Sequence, residues 1–322
     1  MNIRHVTASP GLAFAAQGTG LTELMIALVI GLVLSGAAIT IYINNKHAYQ
    51  VQDNTARLQE NGRFALHLLR EDIRLAGYWG LNTTPETISN IEAIALANEC
   101  TTDWATDYTN PLSFVNNTNA GYRSCIPDAD YKSNTDILTI RHSSSEPLIN
   151  GDIAKDNIYL LTSLTEGAAF QAEAASAIDP GVSISESPKS LYLVLAHTYY
   201  IRPFSQSGDD ISTLVREKII GGAVAAEPLV EYIEDFQITF GLDTDRDGSV
   251  DLYDKEGAFA GNIGTVVSIM VEVLARSPTA EAGYTNTRTY ELGDQIYTVN
   301  DGFRRQVFRN TVFLRNWAGM GK

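Results

Sequence analysis

Basic charge is scarce in this chain. Among 322 residues, 23 Lys and Arg stand against 38 Asp and Glu, for a formal charge of −15. That deficit argues against nucleic-acid binding through a basic surface and against adhesion to anionic lipid. It suits a soluble head outside the cytoplasm, and it favours divalent cations. Cysteine is scarcer still. Cys100 and Cys125 lie in one polar segment, and no CxxC motif or Cys/His cluster suggests zinc. Catalytic motifs are missing: there is no HExxH, no GxSxG and no P-loop. Gly18-Thr19-Gly20 lacks the preceding strand and third glycine of a dinucleotide site, so no enzyme is expected. The histidines are His5, His47, His67, His142 and His197. His142, beside Ser143, Ser144, Ser145 and Glu146, reads as a solvated strand-end residue. His197, inside LYLVLAHTYY, reads as buried and hydrogen-bonded. Proline is absent from residues 11–84, which leaves a long helix unobstructed.

What is present begins with Leu21-Thr22-Glu23 and the run LMIALVIGLVLSGAAITIYI over residues 24–43, which carries no charge. At 1.5 Å per residue it makes a helix about 30 Å long, the thickness of a bilayer core. Glu23 sits at its front edge. A carboxylate well inside lipid costs about 2.5–3.5 kcal/mol, so a simple anchor gains nothing from one. Either Glu23 lies at the headgroups and favours the helix N-terminus through the dipole, or it meets a cationic partner inside an apolar assembly. Charge orients the segment weakly, since Arg4 precedes it and Lys46 follows. The apolar stretch within Met1–Gly18 is short and broken by Pro10 and Gly11, a poor secretory signal.

A small residue, a short spacer and a Glu at the fifth position before an apolar helix resemble the class III signal of type IV pilins and pseudopilins. The resemblance implies cutting between Gly18 and Thr19 by a prepilin peptidase, which also methylates the new N-terminus. Glu23 is then residue five of the mature chain. Thr19 and Thr22 stand where the family usually has Phe or Met and an aliphatic residue.

Residues 44–76 extend the helical pattern. Leu58, Ala65, Leu69, Ile73 and Ala76 recur at helical spacing, widened by Phe64, Leu68 and Leu75. Arg57, Glu60, Arg63, Arg70, Glu71 and Arg74 fall mostly outside this stripe. Gly62 is expected to weaken the helix or let it bend, and Gly77 and Gly80 to stop it. The stretch LQENGRFALHLLREDIRLAGYWG is similar to the PilW family of minor type IV pilins at Glu60-Asn61, Arg63-Phe64-Ala65, Leu69, Asp72-Ile73-Arg74 and Ala76-Gly77-Tyr78. Arg304-Arg305-Gln306-Val307-Phe308 through Val312, Leu314 and Arg315-Asn316 resembles the family's closing strand.

Residues 81–135 are rich in Asn, Thr, Asp and Tyr and read as a long irregular excursion tied by Cys100 and Cys125, which are expected to pair in an oxidising compartment. Closing that loop is worth about 3–4 kcal/mol in the chain-entropy model. Trp104, Tyr108, Phe114 and Tyr122 argue for packing. From 136 onward the signals are mostly strand: DILTIRHS, NIYLLTS, LYLVLAHTYYIRPF, VEYIEDFQITFGLD, TVVSIMVEVLARS and RQVFRNTVFLRN. One long helix followed by many strands predicts α+β with a largely antiparallel sheet, possibly two sheets. The pilin resemblance implies the helix laid across it. The expected organisation is a leader at 1–18, a transmembrane and assembly helix at 19–43, its amphipathic continuation at 44–80 and a β-rich head at 81–322.

One segment has metal-ligand spacing. Asp243, Asp245, Asp247, Gly248, Ser249, Asp251 and Asp254 follow the calcium-loop pattern, with Val250 apolar between them. Asp243, Asp245 and Asp247 would supply oxygens, Ser249 its carbonyl, and Asp251 a water-mediated contact. Asp254 replaces the usual bidentate Glu. Calcium is favoured over an acidic turn, with strands rather than helices on both flanks.

The resemblance implies a minor type IV pilin, part of a tip or priming complex that starts pilus assembly, with family roles in twitching motility, adhesion and DNA uptake. Its implied partners are the prepilin peptidase, other minor pilins, the major pilin and a large tip adhesin. Its implied location is the inner membrane with the head in the periplasm, then the pilus surface. The alternatives are a J-type pseudopilin of a type II secretion system and a membrane-anchored calcium-dependent adhesin or enzyme.

Overall fold

The computed structural model describes residues 20–148, 153–173, 184–257 and 263–316. The chain divides into two units, one ending at Val51 and one starting at Gln52. The long helix α1 is Leu21–Leu75. In the first unit every side chain from Gly20 to Gln50 is exposed, Leu24, Ile30 and Ile41 among them. Among the described residues one helix, α1, is long and apolar enough to cross a membrane, by length and composition.

In the second unit the same helix is one-sided. Asn54, Leu58, Gly62, Ala65, Leu66, Leu69 and Ile73 are buried, the three-and-four spacing of an amphipathic helix. Gly62 does not mark a weak point. A Cβ there would fall 2.3 Å from the Phe308 ring, so glycine serves close approach between helix and sheet. Gly77, at φ 73°, follows the helix end, and its N–H donates to the Arg141 carbonyl at 3.0 Å.

The excursion at 81–135 holds two short strands, β1 (Ile88–Asn90) and β2 (Leu112–Val115). The strands that follow are β3 (Ile137–Ser143), β4 (Ile158–Thr162), β5 (Gly167–Gln171), β6 (Ser190–Arg202), β7 (Thr213–Ile220) and β8 (Ala223–Glu231). They form an eight-stranded sheet in the order β1-β5-β4-β6-β3-β2, with β7 on β6 and β8 on β7. All neighbours are antiparallel except β1 and β5. Pro228 lies in β8, an edge strand that pairs with β7 and, at Ala223, bridges Ala97, so a missing N–H is tolerated at Pro228.

The β-rich run VEYIEDFQITFGLD is shared between two strands. Tyr232 has φ 64° and separates β8 from β9 (Ile233–Leu242). There the chain leaves the first sheet for a second, β10-β9-β11-β14, in which β10 is Leu252–Asp254, β11 Val266–Arg276 and β14 Arg305–Phe313. A hairpin of β12 (Thr289–Leu292) and β13 (Gln295–Thr298) stands apart.

Strand β6 shows the layering. Tyr199 and Ile201 join the core built by Leu58, Leu69 and Ile73 of α1 with Phe236 and Ile238 of β9 and Val271 of β11. Val194, Ala196 and Tyr200 point the other way, into a second core with Trp79, Trp104, Tyr108 and Tyr122. Alternation along the strand thus gives the helix one face and the excursion the opposite one. Cys100 and Cys125 are joined within that second core. Trp104 is fully buried and donates from Nε1 to Thr198 Oγ1 at 2.8 Å.

Candidate functional site

Gly18 and Thr19 lie outside the described residues, as does Trp317. Glu23 occupies the first turn of α1, and its carboxylate accepts the Gly20 N–H at 3.3 Å. That contact satisfies one of the amide groups a helix leaves unpaired at its start. The carboxylate stands at the head of the exposed apolar turns.

The acidic loop connects β9 to β10, so strands flank it on both sides. Asp243 is buried, while Asp245 and Asp247 are exposed. One carboxylate oxygen from each can be chosen so that all three lie within 4.8 Å of one another. Asp243 also shapes the turn, accepting the Arg246 N–H at 2.6 Å and the Gly248 N–H at 2.8 Å. Gly248 sits at φ 93°, where a side chain would be strained. Val250 packs inward, its Cγ2 2.9 Å from where a Cβ on Gly241 would stand.

The last two acids lie elsewhere. Asp251 Oδ2 accepts the Thr244 N–H and hydroxyl, both at 2.8 Å, and these bonds hold its carboxyl below the usual range. Asp254 is in β10, opposite Phe240, and its Oδ1 accepts the Glu256 N–H at 2.9 Å. Ser249 donates its N–H to Asp247 Oδ1 at 2.7 Å. The loop therefore gathers three of the five carboxylates expected on sequence grounds. The hairpin register carries Asp254 along the strand, whereas in a helix-flanked loop the exiting helix would start there.

A second cluster was not visible in the sequence. Asp72 of α1, His142 of β3 and His197 of β6 meet between helix and first sheet, with ligand atoms within 4.8 Å of one another. His142 is not solvated, as its serine-rich neighbours suggested, but 1% exposed, because β3 is buried along its whole length. His197 is buried as expected and bonds through Nδ1 to Asp72 Oδ2. Tyr199 donates its hydroxyl to the same oxygen at 2.5 Å. Burial pushes the Asp72 carboxyl up, but the neighbouring imidazoles of His197 and His142 outweigh it and hold the group far below the usual carboxylate range. Burial lowers His197 and raises Tyr199 well above an ordinary phenol. Asp72 carried only a family resemblance, since helical spacing put it beside the apolar stripe. Nothing in its local sequence announced two histidines 70 and 125 residues further along.

The closing strand carries ion pairs rather than a site. Arg305 binds Glu234 at 2.5 Å and Asp301 at 2.7 Å, and Arg304 binds Glu281 at 2.8 Å. Asn61 of α1 donates to the Glu231 carbonyl at 3.1 Å, and Asn316 to the Arg74 carbonyl at 3.0 Å. The residues that resemble the pilin family thus tie helix, sheet and C-terminal strand together.

No curated protein and no solved structure matches the chain. Residues 198–316, from the middle of β6 through β14, match the family model of type IV pilus-assembly protein W, PilW. This match, over 119 of the 322 residues, is a similarity to the PilW family and supports involvement in type IV pilus assembly.

Proposed function

We propose that this protein is a minor type IV pilin, processed at the inner membrane and built into a tip or priming complex that starts the filament. The observation that carries the reading is the apolar first part of α1, exposed on all sides and headed by Glu23. A helix greasy all round stays dissolved only in lipid or among other apolar helices. In this reading the prepilin peptidase cuts after Gly18 and methylates Thr19. The helix holds the protein in the inner membrane with its head in the periplasm, and then packs among other minor pilins and the major pilin. Glu23 neutralises the N-terminal amine of a neighbouring subunit, while a large adhesin is a candidate tip partner. The size of the head, about 280 residues after the apolar helix, suits a position without lateral copies.

Mass analysis of the mature chain tests the processing step, and the expected result is loss of Met1–Gly18. A chain that retains these residues overturns it and favours a permanently anchored protein. Quantitative mass spectrometry of sheared pili tests the position, and few copies per filament are expected. Abundance equal to the main pilin excludes the tip reading. Glu23→Ala is expected to leave membrane insertion intact and to remove the subunit from filaments; normal incorporation of the variant rules out the proposed charge pairing.

The acidic loop is proposed to hold one calcium ion through Asp243, Asp245 and Asp247, with the Ser249 carbonyl and Asp251 through water. Asp254 joins this set only if β10 shifts along β9. Calcium is expected to raise the melting temperature of the purified protein in a concentration-dependent way, and Asp245→Asn to weaken the effect. An unchanged melting temperature with and without chelator reduces the loop to an acidic turn.

A further inference from the structure

Asp72, His142 and His197 pose a problem of electrostatics. His142 Nδ1 lies 2.8 Å from the Ser143 carbonyl, so this nitrogen carries the ring proton and donates it. In the neutral ring the other nitrogen, Nε2, is then a bare lone pair. It is buried, has no hydrogen-bond partner among the described residues, and faces Asp72 Oδ1 at 3.7 Å. That distance is too long for a hydrogen bond. A lone pair aimed at a carboxylate oxygen in a buried site is repulsive unless a cation lies between them.

We propose that Asp72, His142 and His197 form a binding site for a divalent transition metal ion of the zinc class. The donor set, two imidazole nitrogens and one carboxylate oxygen, is the borderline chemistry such ions select. A gap of 3.7 Å admits an ion about 2.0–2.1 Å from both His142 Nε2 and Asp72 Oδ1, at an obtuse angle. His197 coordinates through Nδ1, its ring proton moving to Nε2. The second shell is in place. The Ser143 carbonyl holds the His142 tautomer, and the Tyr199 hydroxyl, donating to Asp72 Oδ2, orients the carboxylate. The Arg216 guanidinium is engaged by Glu227 at 2.5 Å. The chain supplies three donors and leaves a fourth position to water. A cavity of about 620 Å³ beside β6 is lined by His197 and Arg216.

The consequence is mechanical. The three ligands come from the last turns of α1 and from two neighbouring strands of the first sheet, so the ion clamps the helix to the head. Calcium, which prefers six to eight oxygen ligands, does not suit this pocket, and the acidic loop offers no nitrogen. The two sites therefore separate by metal class.

The test uses the untagged full-length protein in detergent, with excess calcium to saturate the acidic loop. Zinc is added, unbound ion is removed, and the metal is counted; cobalt(II) in a parallel sample reports nitrogen ligation by its visible absorption. The expected result is one retained equivalent, a cobalt band, and a melting temperature that rises with zinc concentration. His142→Gln and Asp72→Asn lose the equivalent and the band, while Asp245→Asn keeps both. Folded wild-type protein that retains no zinc and shows no cobalt band overturns the proposal without any variant. Retention of the equivalent in folded His142→Gln places the metal elsewhere and overturns it equally.

Discussion

Residues 24–43 and residues 58–73 are turns of the same helix, α1, yet they meet opposite surroundings. The first set is exposed at every position, leucines and isoleucines included, while the second buries Leu58, Ala65, Leu69 and Ile73 against two sheets. Backbone hydrogen bonds are the same in both. What differs is where the polar residues stand. From Asp53 onward charged side chains occupy the outer faces and leave one apolar stripe for the head, whereas residues 24–43 have no polar face to turn outward. Burying one aliphatic side chain is worth about 1.5–3 kcal/mol. The second stripe realises that gain inside the chain. The first has no counterpart among the described residues and must realise it in lipid or among other subunits, which is why the proposed assembly role rests there.

The sharpest way to break this comparison is to truncate one leucine in each part. Leu69→Ala is expected to destabilise the head by about 2–5 kcal/mol, since Leu69 is fully buried. Leu32→Ala, at a position 66% exposed, is expected to leave head stability unchanged. Denaturant unfolding followed by near-ultraviolet circular dichroism measures both. Equal losses would mean that the two parts of α1 share one core.

The glycines of the helix sharpen the contrast. Gly62→Ala drives a methyl into the Phe308 ring and is expected to cost about 1–3 kcal/mol. Gly31 has nothing within 4 Å of its would-be Cβ, so Gly31→Ala is expected to leave the head untouched and to favour the helix by up to about 1 kcal/mol. The same unfolding experiment reads both. A neutral Gly62→Ala would show that the helix and β14 do not approach as closely as their packing requires.

A smaller effect separates the head from the exposed helix by pH. Burial pushes the Asp136 carboxyl up to about 8, against 3.8 in an unfolded chain, although it accepts the Ile238 N–H at 2.8 Å and the Asn117 N–H at 3.2 Å. With the folded value raised, the unfolded chain loses its proton first as pH rises. The Asp136 contribution to stability therefore falls between about pH 4 and pH 8 and is level outside that window. Asp136→Asn is expected to remove this part of the slope. Near pH 4, where that loss has not yet set in, it should cost about 1 kcal/mol, because an amide nitrogen cannot accept the second N–H. Melting temperatures of wild type and variant across that range check the sign; parallel profiles would mean that Asp136 is ionised throughout.

Much of the architecture was legible in local pattern. Spacing alone located the stripe of α1, and the apolar run at 24–43 needed only length and absence of charge. The β-rich runs that became β3, β4, β6, β11 and β14 announced themselves through β-branched and aromatic residues. Cys100 and Cys125 had no other partner to choose. β5, with its sequence Gly-Ala-Ala-Phe-Gln, and β8, with Pro228, carry weak strand signals and owe their form to neighbours in the sheet. The sheet switch at Tyr232 turns on one backbone angle inside a β-rich run, where residue types on both sides look alike.

The acids of the β9–β10 loop were found as a motif because calcium chemistry writes its ligands at short fixed spacings. A hairpin on its flanks then separated Asp254 from Asp243, Asp245 and Asp247, since antiparallel pairing puts Asp254 opposite Phe240. Asp72, His142 and His197 follow no spacing at all. Their meeting depends on β3 and β6 pairing with Ile140 opposite His197, and on the face that α1 lays upon them. Properties that repeat along the chain, such as amphipathicity, hydropathy and loop chemistry, are carried by neighbouring residues and can be read from them. Contacts between residues 70 or 125 apart arise from register and packing, which no short stretch of sequence encodes, and the buried cluster exists only because the folded head brings its three members together.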